Sequence, residues 1–309
     1  MTPSYNQTQF LEETIRSVLL QGYPNLEYAI IDGESTDGSL EIIRRYEPWL
    51  AYWVSEKDRG QSHAINKGFS RASGEIVAWL NSDDLYAAGA LPIIGSYFTR
   101  DLSLGMAYGD DRVIDSDGTP IETRRSRDFD LRWLLVWNYI PQPSTFIRRS
   151  VVPGSELVDE TLHYVMDWDL WIRLARRVSV CRVPYVLSAM RFHPQAKSIE
   201  KDFNSEIELL IRRIYLDDLP PVLARMRPWA RAMQAYRLGV SYFNSGEQER
   251  ARRAFWDSLR VNVLGPKTLA RLGYLLCCTL PRRPALALRR WAHAARWPPA
   301  YRMFHERKQ

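Results

Sequence analysis

The chain has 309 residues, of which 46% are hydrophobic, 12% aromatic and 25% charged, proportions that exclude wholesale disorder and fibrous repeats. The net charge of +6 conceals a split: residues 1–218 carry 24 Lys and Arg against 32 Asp and Glu, and residues 219–309 carry 18 against 4, a surplus of +14. No apolar run reaches the ~18 residues of a spanning helix, Leu272 to Leu280 being the longest candidate. The N-terminus lacks the basic-then-apolar layout of a signal peptide, so a cytoplasmic location is expected. Cys181, Cys277 and Cys278 have neither metal spacing nor an even disulfide count, and the five histidines are scattered, which argues against zinc chemistry.

In chain order, Phe10 to Leu20 sets Leu11, Ile15, Val18 and Leu19 on one face of a helix. Leu26 to Ile31 reads as a buried strand ending at Asp32, and the turn Gly33 to Gly38 feeds a helix over Leu40 to Tyr46. Tyr52 to Ser55 reads as a short strand, Gln61 to Ser70 as a helix and Glu75 to Leu80 as another strand. That strand is halted by Asn81-Ser82-Asp83-Asp84, after which Leu85 to Phe98 has helical spacing. Alternation of strand and crossover helix predicts a parallel α/β sheet. Met106 to Tyr108 and Val113 to Ile114 look like short strands around a Gly109-Asp110 turn, and Asp167 to Arg177 like an amphipathic helix. Beyond Pro220-Pro221 the composition turns to Ala, Arg, Leu and Trp, placing a boundary near 218 and an all-α extension over 219–309. Within it, Leu238-Gly239, Tyr242, Ala251 and Phe255 follow the spacing of one tetratricopeptide helix pair, with Val263 where that pattern prefers Pro; an ordinary helical hairpin is the alternative.

In open α/β sheets ligands bind outside the carboxyl ends of the strands, and three such ends carry acids. Asp32, with Glu34 and Asp37 nearby, can accept from a ribose or a base N–H, or else Ser35 or Asp37 simply caps the next helix. Asp83 and Asp84 repel each other unless a cation intervenes, which suits Mg²⁺ or Mn²⁺; alternatively they cap and charge the following helix. Their place directly after an apolar strand favours the metal. Of Asp167 and Asp169, neighbours at i and i+2 that cannot face one cleft, one is a candidate general base in a Trp-flanked setting; both also suit a helix first turn. GxGxxG, GxxxxGK[ST] and GxSxG are all absent, which disfavours a dinucleotide enzyme, a phosphate-loop NTPase and an α/β-hydrolase. Strand-end acids without phosphate-binding glycines are expected to hold a diphosphate through a metal.

Several segments in order resemble family 2 glycosyltransferases. Thr2-Pro3-Ser4-Tyr5-Asn6, Gln21 to Glu27, Ile31-Asp32-Gly33, Ser35 to Ser39, Trp53 to Glu56, Asp58-Arg59-Gly60-Gln61, Ala64 to Gly68 and Trp79 to Asp84 are similar to the donor half. Gln142 to Phe146, Met166 to Trp171 and Arg191-Phe192-His193 are similar to the acceptor half. The resemblance covers about residues 1–200 and implies a GT-A fold over 1–218, Rossmann-like with a mostly parallel sheet flanked by helices, its donor half about 1–110 and its acceptor half about 111–218. It implies an inverting, metal-assisted transfer of a sugar from a nucleotide-diphosphate donor to an acceptor hydroxyl, with Mn²⁺ or Mg²⁺ as cofactor. By the same resemblance Thr2, Pro3 and Tyr5 line the nucleobase pocket, Asp32 holds the base, Asp58 lies near the nucleotide and Lys67 near the phosphates. Asp83 and Asp84 match the metal-binding pair, Asp84 as the preferred ligand; Asp167 matches the catalytic base; Arg191, His193, Lys197 and Ser198 match a loop over the diphosphate. One departure is that Met1 directly precedes Thr2, so the family's first strand is expected to be missing or nearly so, with a weaker nucleobase pocket.

The implied role is cell-surface polysaccharide or glycan assembly on a glycan or lipid-linked acceptor. Two other readings compete: a sugar-phosphate nucleotidyltransferase, whose N-terminal Gly-rich loop and Arg are lacking, and a non-catalytic scaffold on a degenerate transferase domain, against which Asp83, Asp84 and Asp167 argue. The basic tail, with Trp291, Trp297, Tyr301 and Phe304 among its arginines, is expected to hold the enzyme at the anionic inner face of a membrane as a peripheral protein, or else to be a solvated helical face. No nucleic-acid-binding motif accompanies it, so no nucleic acid is expected.

Overall fold

The computed structural model describes residues 1–197, 203–216, 227–261 and 268–279. They group into two compact units, one from Met1–Leu131 and Asn138 to Lys197, the other from Arg132–Trp137 and the described residues beyond Phe203. The second unit thus begins earlier than the composition break near 218 and also takes in a six-residue piece of the preceding half.

The first unit opens with a parallel sheet. β1 (Thr2–Ser4) pairs with β2 (Ala29–Asp32) in the register Thr2↔Ile30 to Ser4↔Asp32, and β2 pairs with β3 (Tyr52–Ser55). The β2 run is buried on both faces, as a covered parallel strand must be. The first strand, expected to be missing or nearly so, is thus reduced to three residues. On its other side the Met1 carbonyl accepts from the Leu80 N–H at 3.0 Å and the Met1 amine donates to the Ala78 carbonyl at 3.0 Å. Helix α1 (Thr8–Leu19) buries Phe10, Leu11, Thr14, Ile15 and Val18, the predicted face. Helices α2 (Ser39–Tyr46) and α3 (Gln61–Arg71) each start behind a glycine at positive φ, Gly38 at 97° and Gly60 at 107°.

A second, mixed sheet has the order β4-β8-β6-β9-β5, with β7 beside β6. Its members are β4 (Ile76–Val77), β5 (Leu85–Tyr86), β6 (Leu104–Ile114), β7 (Pro120–Arg124), β8 (Thr145–Arg148) and β9 (Ser179–Arg191). Only β6 and β9 run parallel here; the other pairs are antiparallel. Two expectations change. Gly109-Asp110 is no turn: β6 continues through it with a register shift against β9, because a Cβ on Gly109 would lie 2.5 Å from the Leu187 side chain. Leu85 does not begin a helix: Leu85–Tyr86 pairs with Ala189 and Ser188 of β9, and α4 (Ala90–Arg100) starts only after Gly89 at φ 77°. After a short helix, α5 (Leu131–Leu134), α6 (Met166–Ala175) leads into β9.

The second unit contains α7 (Phe203–Leu216), α8 (Arg227–Asn244), α9 (Gln248–Val261) and α10 (Thr268–Thr279). Gly246 at φ 84° makes the tight turn between α8 and α9. Gly239 lets α9 come close enough that an added Cβ would sit 2.7 Å from the Phe255 ring, and Ala251 and Phe255 are fully buried. The helix-pair spacing read from the sequence therefore produces a packed hairpin; Val263 lies outside the described residues. Gly239→Val should destabilise this unit by about 2 kcal/mol through overpacking, measured by urea unfolding followed at the C-terminal tryptophans. An unchanged midpoint would contradict the close α8–α9 contact.

Candidate active site

Three consecutive parallel strands deliver their ends to one rim. After β1 comes Tyr5, 63% exposed; after β2 comes Gly33; after β3 comes Asp58. A Cβ on Gly33 would stand 2.8 Å from Asp58 Oδ2 and 3.3 Å from the Tyr5 ring, so the three residues form a cradle that only glycine leaves open. Asp58 Oδ1 accepts from the Gly60 N–H at 2.8 Å, leaving Oδ2 on the cradle side. Asp32 is different. Fully buried, it accepts from the Ser35 N–H (2.9 Å), the Ser35 hydroxyl (2.5 Å) and the Ser55 hydroxyl (2.7 Å), and so holds its own loop. Thr2 is also fully buried, with its hydroxyl 2.9 Å from the Tyr28 hydroxyl, and Pro3 is buried beside Ile31.

The acid loop follows residues 78–80. Asp84 is 3% exposed; its Oδ1 accepts from the Arg191 N–H at 3.0 Å and its Oδ2 from Asn81 Nδ2 at 3.2 Å. Burial, then the Asp83 charge, push its pKa well above the usual carboxylate range. Asp83 Oδ2 lies 3.0 Å from His193 Nε2, while His193 Nδ1 faces Gln195 Oε1 at 3.3 Å. With an acceptor on each nitrogen the imidazole favours its doubly protonated form, and the bond to Asp83 raises its pKa. A second pair of adjacent acids, Asp110-Asp111, is answered by Arg182 and Arg124. Among the described residues the donors to Asp84 are both neutral, a backbone N–H and an amide.

Arg191 does not point to a diphosphate. Its Nε donates to the Asp83 carbonyl (3.1 Å), Nη1 to the Ser116 carbonyl (2.9 Å) and Nη2 to Glu13 (2.6 Å), and its guanidinium lies 4.7 Å from the Phe10 ring centre. It fastens the end of β9 to the acid loop. Lys67 pairs with Glu56 at 2.8 Å, two helical turns along α3 from Gln61, and is not brought to the acid loop. Lys197 does reach the site: its Nζ donates to Gln61 Oε1 at 2.7 Å and lies 5.6 Å from the Tyr164 ring. Gln61 Nε2 in turn donates to Asn81 Oδ1 (2.7 Å), and Asn81 Nδ2 lies 3.2 Å from both Asp84 Oδ2 and Gln142 Oε1. Ser198 lies outside the described residues, as do Trp291, Trp297, Tyr301 and Phe304.

Asp167 opens α6. Its Oδ1 accepts from the Trp168 N–H at 2.6 Å and its Oδ2 from Asn138 Nδ2 at 2.9 Å. Desolvation outweighs these bonds and the Lys197 charge, and lifts its pKa to about 6. Asp169 is committed elsewhere, to Arg173 one turn on at 2.7 Å. Between the acid loop and α6 the Trp79 and Trp171 rings stack at 5.6 Å. Sequence reasoning missed Asn138, which sits in an irregular stretch without a motif, and passed over Gln61 and Gln142, which lay inside quoted segments with no role given.

A resident divalent ion fits these residues on one ground: Asp84 is a buried carboxylate without a cation, next to a second carboxylate. Among the described residues no three His, Cys, Asp or Glu are grouped to hold a metal alone. An ion at Asp84 and Asp83 would complete its shell with diphosphate oxygens and water, as Mg²⁺ and Mn²⁺ do.

The fold is that of GT-A glycosyltransferases. The fold matches S. aureus TarS 1–349 in complex with UDP-GlcNAc at a TM-score of 0.65 and 17% identity, over 90% of this chain and 88% of that one. It matches the mannosyltransferase PcManGT from Pyrobaculum calidifontis, in complex with GDP-Man and Mn²⁺, at 0.59 and 19%, over 99% and 81%. Residues 1–154 match the family described as Glycosyl transferase family 2, and the chain belongs to that family. It is 34% identical over 125 residues to the putative teichuronic acid biosynthesis glycosyltransferase TuaG of Bacillus subtilis, covering 40% of this chain and 49% of that protein. With chondroitin synthase of Escherichia coli it shares 25% over 202 residues, covering 64% and 29%. The chain thus spans about half the length of the curated relatives it matches. The match to this family sets the nucleotidyltransferase reading aside. Among the described residues no helix is long and apolar enough to cross a membrane.

Two outcomes test this geometry. Arg191→Lys keeps the charge but loses the fork, and should cost about 2 kcal/mol of stability, read as a lower Tm; an unchanged Tm would count against its fastening role. Asp167 binds its proton more tightly in the folded than in the unfolded state, so its contribution is present below the unfolded pKa and is lost as pH rises through about 6. Tm curves of wild type and Asp167→Asn should therefore diverge between pH 4 and 7 in favour of the variant. Parallel curves would contradict the raised pKa.

Proposed function

We propose that the protein is an inverting glycosyltransferase that moves a sugar from a nucleotide-diphosphate donor to an acceptor hydroxyl in cell-surface polysaccharide or glycan assembly. The observation that carries this reading is the pairing, in one unit, of the buried Asp84 beside the partly exposed Asp83 with a separate carboxylate of raised pKa. The Tyr5–Gly33–Asp58 cradle supports a nucleobase or ribose seat, with the tyrosine ring as a face and Asp58 Oδ2 as an acceptor. Asp32 supports that seat indirectly, by shaping the loop that carries Gly33.

Asp84, with Asp83, would hold Mn²⁺ or Mg²⁺, which supplies positive charge opposite the leaving diphosphate. His193 and Lys197 add positive charge on the same side, His193 through Asp83 and Lys197 through Gln61. Asp167 takes the proton of the acceptor hydroxyl, whose oxygen attacks the anomeric carbon as the bond to the diphosphate breaks on the opposite face. A base of pKa about 6 is ionised at neutral pH yet keeps useful proton affinity. The cation surplus beyond residue 218 supports attraction to an anionic membrane surface carrying a lipid-linked or glycan acceptor.

The test is a panel of nucleotide sugars with Mn²⁺. Asp84→Asn should lose metal-dependent donor binding in calorimetry. Asp167→Asn should bind donor as wild type does, with kcat lowered about 10²–10⁴-fold. For wild type, kcat/KM should rise with pH and level off above about 6. Unchanged turnover in either variant would overturn that assignment.

A further inference from the structure

The contacts of Asp167 lead to a residue that the reading above leaves without a role. Its Oδ1 is held by the backbone N–H of its own helix, whereas Oδ2 is held by Asn138 Nδ2 at 2.9 Å, its one side-chain donor among the described residues. Beyond that bond the Asn138 side chain has no anchor among the described residues: its Oδ1 is buried without a hydrogen-bond partner there. What places the amide is the main chain on either side. On the C-terminal side, Tyr139 is buried and its hydroxyl accepts from the Asp130 N–H at 2.8 Å.

On the N-terminal side, Asn138 follows directly on Arg132–Trp137, the six residues that belong to the helical unit. The grip on them is close. The Leu135 carbonyl accepts from the buried Gln234 Nε2 at 2.8 Å, and the Val136 carbonyl from Arg237 Nη1 at 3.3 Å. The Val136 side chain is part of the apolar cluster of Ala230, Met233 and Tyr236. The Arg237 guanidinium lies 5.2 Å from the Trp137 ring centre, and Trp133 meets Trp229 edge-on at 4.9 Å. Every one of these partners is on α8. A single peptide bond, Trp137–Asn138, separates a residue gripped by α8 from the residue that grips the base.

We propose that Asn138 is a positioning residue for Asp167, and that α8, through Gln234 and Arg237, sets where Asn138 stands, so that the C-terminal helical unit governs the strength of the catalytic base. The proposal rests on the reading of Asp167 as that base. Its physical content is simple. A donor on an ionised carboxylate stabilises the ionised form, so a well-placed Asn138 keeps the base deprotonated at neutral pH against the pull of burial. The other charge acting on Asp167 is Lys197, which lowers its pKa; Asp169 on the same helix is paired with Arg173.

The test reads the carboxyl itself. In full-length protein labelled at aspartate Cγ, the Asp167 signal is assigned by its loss in Asp167→Asn and titrated by NMR, with no substrate present. Asn138→Ala should move the midpoint up by about one pH unit, and the kcat/KM profile should move with it. Asn138→Ser, which keeps a donor, should return the midpoint toward wild type. Gln234→Ala and Arg237→Ala touch nothing on Asp167, yet should shift it in the same direction by a smaller amount. Glu208→Gln, which disturbs a bond to Tyr242 elsewhere in the helical unit, should not. A midpoint unmoved in Asn138→Ala overturns the positioning role, and one unmoved in both α8 variants overturns the control by the helical unit. If Asn138→Ala shifts the titration while Asp167→Asn still transfers sugar, the assignment of the base fails and the positioning stands.

Discussion

Asp84 is a carboxylate inside the protein with a second carboxylate beside it and no cation paired to it, and much of the first unit serves to keep it so. A lone buried charge of this kind is costly unless hydrogen bonds or an ion answer it. Here the hydrogen bonds come from a backbone N–H at the end of β9 and an asparagine in its own loop. For the β9 amide to arrive, Leu85–Tyr86 must run as a strand against Ala189 and Ser188, and Arg191 must tie the Asp83 carbonyl, Ser116 and Glu13 into one knot. The contrast with Asp110-Asp111 is instructive, since there each acid has an arginine and nothing is left to attract an ion.

From Asn81 the polar contacts run outward in two directions, to Gln142 and the Trp79 carbonyl on one side and through Gln61 to Lys197 on the other. Residues from three distant stretches of the sequence thus meet at one amide. Because each link is a side-chain hydrogen bond with donor and acceptor in fixed roles, a change in charge at Asp84 would be felt along the chain of contacts as far as Lys197. The start of α3 is held in turn by Asn66, whose Oδ1 accepts from the Leu157 and Val158 N–H groups, and by Ser62 on the Leu162 carbonyl. These tie the donor-side helix to the loop that enters α6.

The positions of Asp83, Asp84 and Asp167 were legible in the sequence because each falls at the mouth of an element whose period is plain: an apolar run before Asp83, an amphipathic helix after Asp167. The choice between Asp167 and Asp169 was not, since it depends on Arg173 lying one turn on and taking the second acid away. Asp32 and Arg191 were read by residue type, as an acceptor for a base and a cation for a phosphate. Both are buried and spent on the protein's own groups, Asp32 on a backbone N–H and two hydroxyls, Arg191 on backbone carbonyls and the Glu13 carboxylate. Gly109-Asp110 looked like a turn by composition, but the glycine is required by close approach to Leu187, a tertiary demand that no local window contains. Asn138 had no signal at all, because its significance comes from what lies across from it in space.

The two carboxylates at the centre of this site are held in opposite ways, and the difference follows from what each has to do. Asp84 is held in one position, just ahead of Leu85–Tyr86, by one backbone and one side-chain donor, with its neighbour Asp83 tied down by Arg191. In the proposed role of base Asp167 gains and loses a proton, which calls for a pKa within reach of neutrality, and its pKa is set by burial against two hydrogen bonds and the Lys197 charge. A balance of this kind is easily tipped. A displacement of a few tenths of an ångström at Asn138 weakens one of its few opposing contributions, whereas the same displacement near Asp84 would be shared among many. On the proposed reading, Asp167 is therefore the point at which a remote part of the chain can most readily influence the reaction, because the stretch from Trp133 to Trp137, gripped by α8, runs straight into Asn138, its side-chain donor.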